Sequence, residues 1–317
     1  MKKNLIFIFF LLTIPIAAAA QTILFQENFD DTKFASRGWY DAQGSGGTVS
    51  AAEHIPGSAA SFECHFLQGG TGCSGGAPMR HAFTATNQVY ISFWVKHSSN
   101  WVGSGTTYHP HLIYLLTNLN STYSGLAYTY LTAYIEENQG FPVLTLQDGQ
   151  NIDETQVGVD LTKTTENRSV AGCNGTQPNI GQSEVDCYIS GSVHWNGMVW
   201  KGPTAYFLDP NQKNNWHFIE AYFQMNTILN GIGQPDGIVR YWYDGQVVIN
   251  HNNVILRTGQ HPTQQFNQFI LAPYISINGA GSPADQFIWY DDLYVATSRS
   301  TGSTPAAPSP PSNLRVQ

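Results

Sequence analysis

Trp216-His-Phe-Ile-Glu-Ala-Tyr-Phe-Gln-Met-Asn226 and Ile238-Val-Arg-Tyr-Trp-Tyr-Asp-Gly245 are two runs rich in β-branched and aromatic residues, joined by a Gly/Pro-containing turn. Side chains of a strand point alternately to opposite faces. In the first run His217, Ile219, Ala221, Phe223 and Met225 share a mostly apolar face, and Phe218, Glu220, Tyr222, Gln224 and Asn226 share the other. In the second, Arg240 and Trp242 oppose Val239, Tyr241 and Tyr243. The stretch predicts paired strands with an apolar back. Their front carries carboxylate, phenol, amide, guanidinium and indole groups. Such a front combines hydrogen-bonding groups with flat aromatic surface, the two things a sugar chain takes from a binding face.

The same signal recurs along the chain. Ile23–Asn28, Val89–Lys96, Leu112–Thr117, Tyr128–Glu136, Val143–Gln147, Ile238–Asn250, Gln268–Ile277 and Phe287–Thr297 read as strands, separated by Gly, Asn, Pro and Ser clusters. No long stretch has a 3.6-residue apolar period, and no internal repeat is present, so an all-β sandwich is expected. Alternation in Tyr128–Glu136 puts Tyr128, Tyr130, Thr132, Tyr134 and Glu136 on a polar face, and in Ile91–Lys96 it does so for Ser92, Trp94 and Lys96. If these strands are neighbours in one sheet, Trp94, Tyr130, Tyr134, Tyr222 and Trp242 line a single groove. Lys96, Glu136, Glu220, Gln224 and Arg240 then lie among them.

Residues 1–20 read as a secretory leader: Lys2 and Lys3, an apolar run, then Ala18-x-Ala20 before Gln21. Residues 21–297 form the expected β-sandwich domain, with a polar, loop-rich insertion at about 148–212, and 298–317 a Pro/Ser-rich linker or tail. No other run is apolar and long enough to span a bilayer, so no membrane anchor is expected after cleavage. The formal charge of −8 becomes −10 once the two leader lysines are gone. That balance argues against nucleic acid and anionic membranes as partners, and mildly against a polyanionic substrate unless a local basic groove overrides it. Four cysteines in a secreted chain suggest two disulfides, with Cys64/Cys73 and Cys173/Cys187 the local pairings among three connectivities.

Three chemistries suit these residues. Glu136 and Glu220 are candidates for the acid and the nucleophile or base of a glycosidase. Arg240 with Tyr222, Tyr130 or His111 suits β-elimination from a uronate, where a cation neutralises the carboxylate and a phenol or imidazole takes the C5 proton; Gln224 or Asn226 helps hold the carboxylate. The simpler fate of Arg240 is an ion pair with Glu220 across neighbouring strands. His109-Pro-His111 is a candidate metal-ligand pair, and Glu27, Asp30, Asp31, Asp291 and Asp292 bring hard oxygens to the two ends of the domain. First and last strands often lie side by side, so Glu27, Asp30 and Asp292 are expected to hold a structural Ca2+. There is no Gly-rich phosphate loop and no Ser nucleophile elbow.

Three segments resemble the concanavalin A-like lectin/glucanase superfamily. Phe25-Gln-Glu-Asn-Phe-Asp-Asp31 with Gly38-Trp39 is similar to the opening strand of secreted members. Trp216–Phe223 with Gly237–Gln246 is similar to their paired central strands and Asp-Gly hairpin, and Phe287–Thr297 to their closing strand. The resemblance implies an antiparallel jelly-roll sandwich with a glycan-facing sheet. The superfamily includes hydrolases, lyases, lectins and adhesion modules. The Glu-x-Asp-x-x-Glu strand of laminarinase-like hydrolases is absent, as are the Arg-(Ser/Thr)-Glu-x-Arg and Gln-x-His motifs of common alginate lyases. The leading expectation is a secreted lyase or hydrolase acting on a polysaccharide. Glu136, Glu220, Tyr130, Tyr222 and Arg240 are then catalytic, and Trp94, Lys96, His111, Tyr134, Gln224, Asn226 and Trp242 bind substrate. The rivals are a non-catalytic carbohydrate-binding or adhesion protein and a self-assembling structural protein.

Overall fold

A computed structural model describes residues 21–40, 47–73, 79–106, 109–118, 131–148, 187–190, 193–257, 262–275 and 281–299. The leader, Tyr130, Cys173 and most of the tail lie outside the described residues. The strands are β1 (Ile23–Glu27), β2 (Trp39–Tyr40), β3 (Gly47–Ser50), β4 (Ser61–Phe66), β5 (Met79–Thr86), β6 (Gln88–His97), β7 (His111–Thr117), β8 (Leu131–Asn138) and β9 (Phe141–Asp148). They continue as β10 (Cys187–Ser190), β11 (Val193–Lys201), β12 (Trp216–Gln224), β13 (Ile228–Leu229), β14 (Ile232–Gly233), β15 (Gly237–Tyr243), β16 (Gln246–Val254), β17 (Phe266–Tyr274) and β18 (Gln286–Ala296). Among the described residues no helix is long and apolar enough to cross a membrane.

Two antiparallel sheets form a sandwich. Sheet A runs β16-β15-β12-β6-β18-β4-β3, with β1 also on β18; sheet B runs β10-β11-β9-β8-β7-β17-β5-β2. The first and last strands therefore do pair, with Gln26 opposite Tyr294. The core lies between the sheets. Ile91, Phe93 and Val95 of β6, Ile219, Ala221 and Phe223 of β12, and Val239, Tyr241 and Tyr243 of β15 meet Ile113 and Leu115 of β7, Leu131, Ala133 and Ile135 of β8, and Leu144 and Leu146 of β9. On β6, β8, β12 and β15 these are the apolar faces that alternation assigned.

Two features depart from simple alternation. In β18 the inward set is Ile288 and Tyr290, then Leu293 and Val295, an even-to-odd switch made by a bulge after Asp291, where Asp292 adopts φ 44°. In β17 a similar irregularity near Asn267 turns Phe266, then Phe269 and Leu271, inward and leaves Gln268 and Ile270 outward. The run read as one strand over Ile238–Asn250 is a hairpin with the Asp-Gly turn that the resemblance implied, because Asp244 (φ 48°) and Gly245 (φ 78°) form the two-residue turn that strand twist favours. Within the expected 148–212 insertion, β10 and β11 extend sheet B by pairing on β9. Cys64 and Cys73 form a disulfide, with Cα atoms 4.8 Å apart.

Candidate active site on the outer face of sheet B

The expected single groove is divided between two sheets. Trp94, Lys96, Glu220, Tyr222, Gln224, Arg240 and Trp242 belong to sheet A, whereas His111, Tyr134 and Glu136 belong to sheet B. Glu136 and Glu220 point outward from opposite sides of the core. Stacked sheets lie about 10 Å apart, so the two carboxyls exceed the roughly 5–9.5 Å separations that glycosidases use. This pair is not a glycosidase dyad.

The expected site residues on the outer face of sheet A are engaged by neighbouring side chains. Glu220 takes Arg299 Nε on Oε1 at 2.6 Å, Arg299 Nη2 on Oε2 at 2.8 Å, and the Tyr90 hydroxyl at 2.7 Å. Arg299 also lies 4.8 Å from the centre of the Trp242 ring. The expected Arg240–Glu220 pair is thus replaced. Arg240 donates to Asn250 at 2.9 Å and Asn252 at 3.0 Å on β16, the neighbour on its other side. The Tyr222 hydroxyl meets Gln224 Oε1 at 2.8 Å, and burial raises this phenol's pKa. Lys96 pairs with Glu53 at 2.6 Å, and Trp94 packs on Phe218 with ring centres 5.0 Å apart. Asn226 is fully buried; its Oδ1 accepts the Leu256 and Arg257 backbone N–H groups at 2.8 and 2.9 Å, which makes it a loop anchor.

Two of the candidate calcium residues, Glu27 and Asp30, are engaged in hydrogen bonds. Glu27 accepts Arg37 Nε at 2.7 Å, Trp39 Nε1 at 2.8 Å and the Phe29 N–H at 2.9 Å. Asp30 accepts the Ala59 N–H at 2.7 Å and Asn28 Nδ2 at 2.6 Å. Burial and the Asp30 charge push Asp292 up. Among the described residues no three His, Cys, Asp or Glu side chains form a metal-binding group, and Glu27, committed to Arg37 and Trp39, does not fit the role.

Sheet B presents a different surface. Register sets Tyr40 opposite Arg80, Arg80 opposite Ile270, Ile270 opposite Tyr114, Tyr114 opposite Tyr134, and Tyr134 opposite Thr145, one row across six strands. A second row places Tyr274 opposite His111 and His111 opposite Glu136. Here the side chains touch. His111 Nδ1 meets Glu136 Oε1, and its Nε2 lies 2.9 Å from His109 Nε2. Tyr134 stacks on His111 at 4.7 Å, Tyr114 lies 5.3 Å from His111, and Tyr274 lies 5.3 Å from His109. Glu136 Oε2 accepts the Thr145 hydroxyl at 3.1 Å and Asn138 Nδ2 at 3.5 Å. Gln268, outward beside the Arg80 row, donates its amide to the Tyr40 hydroxyl. One face thus gathers a guanidinium, two imidazoles, four phenols, amides and a carboxylate.

Of this group, Glu136, His111 and Tyr134 were expected site residues, and His109 was noted only as half of a ligand pair. Arg80, Gln268, Tyr40, Tyr114 and Tyr274 were not singled out. Alternation within Leu112–Thr117 was enough to expose Tyr114. Arg80 sits on a strand whose polar composition, Met79-Arg-His-Ala-Phe-Thr-Ala-Thr86, hides its period.

No protein-family model matches the sequence, and no curated protein matches it. Solved structures do match in fold. An endo-β-1,4-glucuronan lyase from Trichoderma reesei is 14% identical with a TM-score of 0.53, covering 87% of this chain and 96% of its own. A PL-14 alginate lyase from Aplysia kurodai is 12% identical with a TM-score of 0.54, over 87% and 98% of the two chains. The alginate lyase vAL-1 from a Chlorella virus is 13% identical with a TM-score of 0.51, over 82% and 91%. The fold is the antiparallel jelly-roll sandwich expected from the sequence, and these identities speak to fold alone.

Proposed function

We propose that this protein is a secreted polysaccharide lyase that cleaves a uronic-acid polymer by β-elimination on the outer face of sheet B. The observation that carries the reading is the gathering of Arg80, the His109–His111 pair, and Tyr114, Tyr134 and Tyr274 on one sheet face. Elimination needs three things: a cation or amide to neutralise the carboxylate, a base for the C5 proton, and an acid for the leaving glycosidic oxygen. Arg80 and Gln268 supply the first, the imidazole pair the second, and a neighbouring tyrosine the third. Arg80 is also the local positive charge that a polyanion needs on an acidic protein. The lyase descriptions of the three fold neighbours agree with this reading, as does the leader-like segment at residues 1–20.

The test is incubation with a panel of neutral and uronic-acid polysaccharides, following ultraviolet absorbance of the new C4–C5 double bond together with reducing ends. Both signals rising on a uronate polymer is the expected result. Reducing ends without absorbance indicates hydrolysis and overturns the reading. Silence in both across the panel moves the protein to the carbohydrate-binding class.

A further inference from the structure

Strand β8 carries carboxyls on both of its faces. Glu136 faces outward, whereas Glu137 follows Leu131, Ala133 and Ile135 inward and is fully buried between the sheets. Glu137 Oε1 accepts the Trp101 indole N–H at 2.9 Å. His97 Nε2 lies 3.0 Å from Oε2 but is not aligned for a hydrogen bond. Two phenols enter the core from sheet A, Tyr241 on β15 and Tyr290 on β18, and both are fully buried. Neither hydroxyl has a hydrogen-bond partner among the described residues, and neither has Glu137 Oε2. Burial pushes both phenols well above their ordinary pKa, and the charge of Glu137 adds to the shift of each. Both hydroxyls therefore keep their hydrogens, and both feel the same carboxylate.

A buried hydroxyl without a partner has given up its hydrogen bonds to solvent and gained none, and folded proteins rarely leave such groups unpaired. Two such hydroxyls beside a half-satisfied carboxylate require an occupant, and the three atoms define its chemistry. The phenols need an acceptor for their hydrogens, and Glu137 Oε2 needs a donor. A metal cation serves oxygen lone pairs but accepts no hydrogen. An anion accepts from the phenols but is repelled by Glu137. Water does both, and polar interior sites that offer it two to four partners are where proteins hold it. We propose that the sandwich core binds water between Tyr241, Tyr290 and Glu137, in a hydrogen-bonded link from sheet A to sheet B. The site is independent of what the outer face of sheet B binds.

The test is a high-resolution crystal structure of the whole protein, together with thermal unfolding of Tyr241→Phe and Tyr290→Phe. The expected electron density shows ordered water within hydrogen-bond distance of both phenol oxygens and linked to Glu137 Oε2. A dry core overturns the proposal, and so does a bound metal or chloride ion in the water's place. Each Phe variant removes a hydroxyl and no carbon, so the packing of the ring is kept. Loss of a hydrogen bond to bound water is expected to lower the melting temperature by about 1–4 °C in each variant. An unchanged or higher melting temperature in either variant marks an unpaired hydroxyl and overturns the proposal. The double variant is expected to lose less than the two single losses added, because the same water serves both hydroxyls; strict additivity overturns the shared site. Should a variant fail to fold, the wild-type electron density decides alone.

Discussion

Asp291 shows how a single buried group makes stability depend on pH. Its Oδ2 accepts the Ile55 N–H at 3.0 Å and its Oδ1 the Ser58 hydroxyl at 3.1 Å, yet burial, acting against these bonds, pushes it up to about 6. A carboxyl whose folded pKa lies above its unfolded value holds more protons in the native state between the two. Its stabilising contribution is therefore present at low pH and is lost as pH rises through about 4 to 6. The stability of wild type relative to Asp291→Asn is expected to fall by about 1–3 kcal/mol between pH 4 and pH 7, measured by denaturant unfolding at each pH. Glu220 illustrates the opposite design. It is almost wholly buried but held by the Arg299 guanidinium through two bonds. Arg299→Ala strands that carboxylate and is expected to cost about 2–3 kcal/mol, less than a fully buried pair because Arg299 is partly exposed. Arg299→Ala with Glu220→Leu is expected to cost less than Arg299→Ala alone, a comparison that thermal unfolding of the variants decides.

At the scale of elements, two tight hairpins and two bulges set where the functional side chains point. Gln139 (φ 53°) and Gly140 (φ 79°) join β8 to β9, as Asp244 and Gly245 join β15 to β16. The first turn sets Thr145 opposite Tyr134 and diagonal to Glu136 on the adjacent strand, within reach of the Glu136 carboxyl. Left-handed backbone is costly for any residue with a Cβ, by about 1–2 kcal/mol. At Gly140 a Cβ also meets Leu208 at 2.6 Å and its backbone nitrogen at 2.9 Å. Gly140→Ala is therefore expected to destabilise more than Gly245→Ala, with melting temperatures ranking the two. A period-2 pattern carried through Asp291 or Asn267 assigns every later residue of that strand to the wrong face.

The whole molecule separates two polar faces that look alike in sequence. Sheet A's outer face is tied together by ion pairs and amide bonds; sheet B's carries the imidazole pair and Arg80 in line with three tyrosines. Arg80→Ala is expected to lower kcat/KM on a uronate polymer by about 100-fold or more, the typical effect of removing a charge-stabilising donor. Tyr90→Phe, on sheet A, is expected to leave kcat/KM within about twofold. Steady-state kinetics of both variants on the same polymer separates the faces, and the reverse result would place the chemistry on sheet A.

The chain by itself determined that the protein is an antiparallel sandwich and which residues of β6, β8, β12 and β15 face the core. Both follow from alternation and turn chemistry, which are local. Only the tertiary structure decided which sheet each strand joins. Alternation encodes inward against outward, and the two sheets of a sandwich present the same inward pattern to a shared core. Tyr134 and Tyr222 are thus indistinguishable by pattern, although they stand on opposite sides of the molecule. The neighbours that make a site of Tyr134, from Arg80 to Tyr274, reach it through pairings between strands distant in sequence. Those pairings follow from how the whole set of strands packs, and no short stretch records them.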